Sequence, residues 1–231
     1  MNVCVVGATG VLGRSLVPLL FEHRISVRAL ARFTDEKRSL LPKEADCLNF
    51  DLLAENVSTT LPSLLDGVDA VLHIATAIPR DFSAPGAWDL NNKLRTIGTR
   101  RLLDAAAARK VGYYVQQSIT MRYPDCGDNW IDEDVPLVPT DQSGNPDTVT
   151  VMENMVRSVD NGIDWCMLRG GIFVGPGTFQ DDAIRDLRSG RMSVPGDGMK
   201  FTSLIHVADM ATAFLKALQI RPHRATLNVV A

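Results

Sequence analysis

The sequence predicts an α/β fold of the Rossmann type, a doubly wound parallel sheet with helices on both faces. Short β-branched runs alternate with longer helical segments along all 231 residues. Because each intervening helix carries the chain back to the start of the sheet, this alternation favours parallel strands joined by right-handed crossovers. A glycine-rich turn follows the first strand, where folds of this class bind phosphate groups. We interpret residues 1–231 as one domain.

Local patterns predict each element in turn. Apolar and β-branched runs between turn residues predict strands within 2–7, 26–32, 45–52, 68–75, 113–118, 164–169 and 226–230. Apolar residues at helical spacing predict helices over 11–22, 89–110, 148–161, 179–189 and 208–219. Pro18 lies within the first of these, where a proline can kink a helix. Proline, glycine and aspartate predict loops at 124–147 and 170–177. We expect a small, reduced C-terminal substrate lobe from 124–147 and 170–204.

Composition limits the classes of partner. A formal net charge of −3 lacks the basic excess of a nucleic-acid-binding protein. The apolar runs are too short to span a membrane, and residues 1–6 lead directly into the glycine turn, which leaves no room for a signal peptide. The four cysteines show neither disulfide nor zinc spacing. We therefore expect a cytoplasmic protein that binds no metal, nucleic acid or membrane.

The turn after the first strand has the pattern G-x-x-G-x-x-G. It consists of Gly7, Ala8, Thr9, Gly10, Val11, Leu12 and Gly13. Gly7 permits the tight turn, Gly10 lets the backbone approach a pyrophosphate, and Gly13 allows the helix to pack closely on the strand. The free amides and the dipole at the helix N-terminus favour an anion there. The turn therefore predicts a dinucleotide site.

From this turn onward the chain resembles the extended and atypical short-chain dehydrogenase/reductases, the NAD-dependent epimerase/dehydratase family. Similar segments follow in order at 27–32, 50–52, 71–75, 91–106, 115–118, 168–171, 174–177 and 205–209. The resemblance implies a nicotinamide dinucleotide cofactor and a small-molecule substrate of unknown identity. Family members often dimerise through helices equivalent to 89–110 and 148–161, so a homodimer is one expectation.

Arg32 favours NADP over NAD as the cofactor. Members that prefer NAD usually end the second strand with an acid that bonds the ribose 2′-hydroxyl, whereas this chain has no acid there before Asp35. A guanidinium can bind a 2′-phosphate through two hydrogen bonds. We therefore predict NADP, with NAD as the alternative. Additional positive charge could come from Arg14, Arg28 and Lys37.

The resemblance implies further cofactor contacts. Asp51 and Leu52 would flank the adenine, and Met152 stands where the family contacts the nicotinamide ribose. The remaining predicted contacts line the far side of the cofactor or pass beside the nicotinamide: Ile74, Ala75, Thr76, Ser118, Gly170 and Gly171.

The family's catalytic pattern is incomplete in this chain. The resemblance implies a tyrosine acid/base, a lysine four residues later that lowers its pKa, and a serine that orients the substrate oxygen. Ser118, with Thr120 nearby, fits the serine role. Thr148 and Met152 replace the tyrosine and the lysine, and Glu153 matches an acidic neighbour that supports this alignment. A threonine hydroxyl is too weak an acid to replace a phenol.

Other polar residues are interpreted as structural. Tyr123 is predicted to pack or to form a pocket wall, because it lacks a lysine partner. His73 lies in an apolar strand and is predicted to be a packed core histidine. Asp209 is predicted to cap the helix at 208–219.

Three functions remain open at this point. The first is an NADP(H)-dependent oxidoreductase or epimerase-like enzyme with an altered proton donor. The second is a non-catalytic NADP(H)-sensing module, favoured by Thr148 and Met152. The third is a flavin or quinone reductase-like variant, in which hydride passes directly from NADPH to an acceptor needing no protein acid.

Overall fold

A seven-stranded parallel sheet forms the centre of the computed structural model, which describes residues 1–82, 84–141, 144, 146–160, 162–193, 196, 198 and 201–231. The sheet strands are β1 (Asn2–Val6), β2 (Ser26–Ala31), β3 (Asp46–Asn49), β4 (Ala70–His73), β5 (Tyr113–Ile119), β6 (Asp164–Gly170) and β9 (Ala225–Val229). They lie in the order β3-β2-β1-β4-β5-β6-β9. Two further strands, β7 (Ile172–Val174) and β8 (Leu204–His206), pair in parallel with each other.

Helices cover both faces of the central sheet. They are α1 (Val11–Glu22), α2 (Asp35–Arg38), α3 (Val57–Leu64), α4 (Asp89–Lys93), α5 (Thr99–Ala108), α6 (Thr148–Arg157), α7 (Phe179–Arg188) and α8 (Val207–Ile220). Side chains alternate along β1, so Val3 and Val5 join the core under α1 and α8, whereas Cys4 and Val6 join the core under α3, α5 and α6. The predicted Rossmann-type fold is confirmed.

The strand order positions the ligand-binding edge. β1 pairs with β2 on one side and with β4 on the other, so the connections that leave β1 and β4 run to opposite faces of the sheet. Ligands of open α/β sheets bind in the crevice at such a switch point, beyond the carboxyl ends of the strands. The glycine turn follows β1 and therefore lies at this edge.

The prediction of one continuous helix over 89–110 is wrong. The structure divides it into α4, a π-helical segment over Leu94–Gly98, and α5. A π-helical turn holds an additional residue, which changes the direction of the side chains within it without breaking the helix. The helix predicted over 148–161 ends earlier, at Arg157, and Asn161 lies outside the described residues. The helix over 11–22 continues through Pro18 to Glu22.

The loop predicted at 170–177 contains the strand β7, and β8 was not predicted either. Each has three residues, too short a run to show period-two alternation. The short helices α2 and α3 were also missed. Within 124–147, the described residues form a loop in which a β-bridge joins Thr140 to Pro146. The described part of this loop does not include Gln142, Ser143 and Asn145.

The cap predicted for α8 is also wrong. The helix begins at Val207, one residue earlier than predicted, so His206 occupies the N-cap position. Its Nδ1 accepts a hydrogen bond from the Ala208 amide at 3.3 Å, whereas Asp209 is exposed in the first turn. Among the helices that the structure describes, none is long and apolar enough to cross a membrane.

Candidate functional site

The glycines of the turn serve different purposes. Gly7 has a φ of +97°, and a Cβ there would lie 2.6 Å from the Ala75 Cα. A Cβ on Gly13 would lie 2.2 Å from the Ala8 carbonyl oxygen. Gly10 has an ordinary φ of −68° and is exposed, and a Cβ there would meet the Gly7 carbonyl oxygen at 3.2 Å. Backbone packing therefore requires Gly7 and Gly13, whereas Gly10 leaves an open surface that a ligand can approach.

The N-terminus of α1 is suited to an anion. Gly10 is its N-cap, no side chain caps the first turn, and no acidic residue lies in that turn. The amides of the first turn therefore point outward with the positive end of the helix dipole. A pyrophosphate would satisfy these amides and interact favourably with the dipole. The residues of the turn thus fit the phosphate groups of a dinucleotide.

Arg32 lies exposed just after β2, at the same edge of the sheet. Within the described part of the chain, its side chain forms no hydrogen bond or ion pair. Arg28, one of the three residues predicted to add charge, instead binds Asp46 at 3.0 Å and the Leu64 carbonyl at 2.9 Å. Arg28 is therefore already paired, and the contribution predicted for it is wrong.

The other predicted cofactor residues differ in accessibility. Asp51 is exposed, and its Oδ1 accepts a hydrogen bond from the Leu53 amide at 2.9 Å. The Leu52 side chain is buried and packs beneath Gly98. Ile74 is buried in the core, whereas Ala75 is half-buried and Thr76 is exposed. Their contact with a cofactor stays a prediction.

Gly170 and Gly171 are both buried. A Cβ on Gly170 would lie 3.1 Å from the Met210 Cε, and one on Gly171 would lie 2.7 Å from the Ser203 carbonyl oxygen. The Ser203 backbone therefore accounts for Gly171 without a cofactor, whereas Gly170 meets only the end of a flexible methionine at this distance. The role of both glycines beside the nicotinamide stays a prediction.

A cleft opens beyond the carboxyl ends of β4 and β5, beside α6. Its lining includes His73, Thr76, Arg95, Ser118, Val149 and Met152. Three of these, Thr76, Ser118 and Met152, were predicted from the sequence to lie at the cofactor and substrate site. The tertiary structure brings them together from three different elements, so this cleft is the candidate active site.

Ser118 is held by a buried ion pair. Its hydroxyl donates to Glu153 Oε1 at 2.6 Å, and Arg169 donates to the two oxygens of the same carboxylate at 3.0 and 2.7 Å. Burial alone would raise the pKa of Glu153, but hydrogen bonds from Arg169 and Ser118, with the charge of Arg169 and Arg157, hold it below its usual value. Glu153 is therefore ionised, and the Ser118 hydroxyl uses its proton in the hydrogen bond to this carboxylate.

Tyr123 extends this network. Arg169 Nη1 donates to the Tyr123 hydroxyl at 2.5 Å, and that hydroxyl donates to Asn228 Oδ1 at 2.8 Å. The Arg169 guanidinium also lies 5.0 Å from the centre of the Tyr123 ring. These contacts fix Tyr123 as a packed wall residue between β5 and β9.

Thr148 and Met152 supply no proton donor in place of the tyrosine and lysine. The Thr148 hydroxyl donates to Asn92 Oδ1 at 2.9 Å, which ties the first turn of α6 to α4. Met152 is buried and packs with Leu137 and Val149. One wall of the cleft is therefore apolar where the family places an ammonium group.

His73 is buried at 1% exposure, as predicted for a core histidine. Gln116 Nε2 donates to the Gln117 carbonyl, so Gln116 Oε1 is an acceptor for His73 Nδ1 at 2.9 Å. The proton of the neutral ring is therefore on Nδ1. Burial lowers the pKa of His73 to about 4. Nε2 has no hydrogen-bond partner among the described residues, and the ring borders the cleft.

Arg95 is a cleft residue that sequence reasoning missed. It lies in the π-helical segment, which turns its partly buried side chain to the cleft. No periodicity distinguishes it from Arg100 and Arg101 on the following turns of the same predicted helix. The position of the π-helical turn is set by tertiary packing, so the sequence offered no signal for Arg95.

Three aromatic rings join the connections that leave β4 and β6. Phe82 stacks with Trp88, with ring centres 5.7 Å apart, and contacts Phe179 at 5.2 Å. Phe82 and Phe179 remain 45% and 46% exposed, so their rings could also contact a ligand. Because β4 and β6 flank β5, this aromatic bridge links the two sides of the sheet edge that contains Ser118.

Comparisons with known proteins agree with this arrangement. The sequence model of a family described as "NAD dependent epimerase/dehydratase family" matches residues 3–229. A protein named 3-diazoavenalumate denitrifying reductase from Streptomyces sp is 34% identical over 230 residues, covering 95% of this chain and 72% of that protein. An NAD(P)H azoreductase from Xenophilus azovorans is 26% identical over 217 residues, covering 94% and 63%.

Solved structures show the same fold at lower identity. UDP-glucose 4-epimerase from Thermus thermophilus, in complex with NAD, superposes with a TM-score of 0.79 at 22% identity, covering all of this chain and 78% of that one. The dTDP-glucose 4,6-dehydratase from Streptomyces venezuelae gives a TM-score of 0.83 at 20% identity, with coverages of 100% and 76%. The family match over residues 3–229 and the relative of 34% identity show that the chain belongs to the NAD-dependent epimerase/dehydratase family, as its sequence motifs predicted.

Proposed function

We propose that this chain is an NAD(P)H-dependent reductase of aromatic diazo compounds, which uses no protein acid in the reductive step. The observation that carries the proposal is that every tyrosine hydroxyl is hydrogen-bonded within the protein and that no tyrosine is among the described lining residues of the cleft. The hydroxyls of Tyr113, Tyr114 and Tyr123 donate to the Pro222 carbonyl, Gln116 Oε1 and Asn228 Oδ1. Burial also raises the pKa of Tyr113 and that of Tyr114. None of them can deliver a proton to a substrate in the cleft.

Reduction of an aryl diazonium ion needs no such proton. Hydride adds to the terminal nitrogen to give an aryl diazene, Ar–N=N–H. The carbon–nitrogen and nitrogen–hydrogen bonds then break, N2 leaves, and the hydrogen is transferred from nitrogen to the ring carbon to give Ar–H. Atoms and charge balance without a general acid, in contrast to carbonyl reduction, where a developing alkoxide must be protonated. The similarity to a reductase named for a diazo compound and to an azoreductase supports this substrate class.

The surroundings of the cleft favour an aromatic acceptor. Val149 and Met152 supply an apolar wall. Ser118, whose proton is held by Glu153, meets a ligand as a hydrogen-bond acceptor.

The chain's own residues would hold the cofactor at the switch point. The open surface at Gly10 and the uncapped amides of α1 would bind the pyrophosphate. Arg32, exposed and unpaired within the described residues, would bind the 2′-phosphate, so we propose NADP rather than NAD. When bound, the reduced cofactor supplies the hydride.

Consumption of NADPH with an arenediazonium salt tests the function. We expect N2 release and NADPH oxidation well above the rate without protein, and little turnover of carbonyl compounds. Thr148→Val should retain the diazo activity within about threefold, because the Thr148 hydroxyl is bonded to Asn92 and this chemistry does not use an acid at that position. Tight NADPH binding with no oxidation by diazo, azo, quinone, flavin or carbonyl acceptors would support the second candidate, a non-catalytic NADP(H) sensor.

The cofactor preference has its own test. Replacing Arg32 with serine should weaken NADPH binding by about tenfold and leave NADH binding unchanged, since only NADPH has the 2′-phosphate. Arg100→Gln, an exposed arginine on α5, is the matched control for loss of one surface charge. Tighter binding of NADH than of NADPH by the unmodified protein would contradict the assignment.

A further inference from the structure

Arg95 places an unpaired positive charge at the candidate active site. Its side chain is partly buried and lines the cleft together with Ser118 and Met152. In the part of the chain that the structure describes, its guanidinium forms no hydrogen bond and no ion pair. A guanidinium removed from water without a partner is unfavourable, so a ligand that pairs with it would gain binding energy.

The charged neighbours of Arg95 do not neutralise it. Asp147 attracts it, but the Asp147 carboxylate already binds Arg122 at 2.8 Å and caps α6 by accepting from the Val149 and Thr150 amides. Arg122 in turn repels Arg95. Burial lowers the pKa of Arg95, which Asp147 raises and Arg122 lowers. The local ion pair therefore leaves the charge of Arg95 available to a ligand.

The rest of the cleft lining adds no opposing charge. The described lining residues include no aspartate or glutamate, and the one histidine among them, His73, is buried and neutral. Val149, Met152 and Ile119 give it apolar surface, and its remaining polar residues are uncharged: Thr76, Gln116, Gln117 and Ser118. An apolar wall beside one guanidinium suits a flat hydrocarbon ring with a single anionic group. Carboxylates and phosphates both match the planar fork of arginine through two parallel hydrogen bonds, and a carboxylate carries the single negative charge that one guanidinium balances.

We propose that Arg95 is a specificity-determining residue that binds the carboxylate of an aromatic acid in this cleft. The proposal rests on the proposed function for the group that is reduced, but the binding preference itself requires no turnover. It narrows the substrate class to aromatic diazo compounds that also carry a carboxylate.

Equilibrium binding tests the inference independently of catalysis. The probes are azobenzene-4-carboxylate and its uncharged amide, measured by calorimetry on protein saturated with NADP⁺, which cannot deliver a hydride. We expect the unmodified protein to bind the carboxylate at least about tenfold more tightly than the amide. Arg95→Gln should remove that preference, Arg95→Lys should retain part of it, and Arg100→Gln should leave it unchanged.

Three other binding results would overturn the inference. Equal affinity of the unmodified protein for the two probes would show that the cleft does not recognise a carboxylate. A preference that survives in Arg95→Gln would assign recognition to another cation. A weaker affinity for NADP⁺ in Arg95→Gln, with the probe preference intact, would assign Arg95 to the cofactor. A retained carboxylate preference without diazo reduction would refute the proposed function and leave this inference standing.

Discussion

The Ser118 hydroxyl donates to the Glu153 carboxylate across 2.6 Å, and both side chains are buried. Glu153 lies on α6 and Ser118 on β5, so the bond joins the helix to the strand end at the cleft. A serine at this position is expected to donate to a substrate oxygen, whereas here its proton is engaged. The bond therefore gives Ser118 a structural role that its position in the sequence did not indicate.

Ser118→Ala should reduce stability more than activity. Loss of the bond leaves Glu153 with one donor fewer and should lower the free energy of unfolding by about 1 to 2 kcal/mol. Diazo reduction should fall by less than about tenfold, since the serine proton does not reach the substrate. Urea unfolding and NADPH oxidation measure the two effects. A loss of activity of a thousandfold at unchanged stability would contradict this role.

Glu153→Gln should be strongly destabilising. The substitution leaves Arg169, which is 2% exposed, as a buried charge without its counterion, at a cost of about 3 kcal/mol or more. Asp182→Asn is the control, since it removes the acid of the exposed pair between Arg185 and Asp182 and should cost under about 0.5 kcal/mol. Denaturant unfolding of both variants gives the comparison. Similar losses of unfolding free energy in the two variants would mean that burial does not determine how much the Glu153 ion pair contributes to stability.

His73 should make the folded state sensitive to acid. Burial lowers its pKa to about 4 from 6.5. Between those values the unfolded chain binds a proton that the folded chain does not, so stability falls as the pH decreases through this window. The contribution is about 3 kcal/mol, at roughly 1.4 kcal/mol per pH unit. Unfolding from pH 7 to pH 4 should show a smaller loss for His73→Gln. His23→Gln, at an exposed histidine, should match the unmodified protein, and an identical pH dependence in all three would refute the prediction.

Gly10→Ala and Gly7→Ala should separate binding from folding. A Cβ on Gly10 meets the Gly7 carbonyl oxygen at 3.2 Å, so the variant should fold with a loss of under about 1 kcal/mol but bind NADPH at least about tenfold more weakly. A Cβ on Gly7 would lie 2.6 Å from the Ala75 backbone at a φ of +97°, so that variant should unfold at a much lower temperature. Thermal unfolding and NADPH titration test both, and normal NADPH affinity in Gly10→Ala would argue against a phosphate at this turn.

Much of the fold was predictable because its signals are local. A positive φ at Gly7 and apolar alternation along Asn2–Val6 depend on residues a few positions apart. The strands of the central sheet were accordingly predicted to within a few residues. Ile172–Val174 and Leu204–His206 were missed because three residues are too few for a periodic signal, and they are stabilised by pairing with each other.

The candidate site was likewise predictable only in part. The sequence by itself determined the glycine-rich turn, the absence of a tyrosine and lysine at Thr148 and Met152, and the family. Only the tertiary structure decided that Glu153 binds both Ser118 and Arg169, and that Arg95 borders the cleft. The physical reason is that the energy of a charged side chain depends on its burial and its partners. Those partners come from β5, α6 and β6, whose proximity exists only in the folded chain.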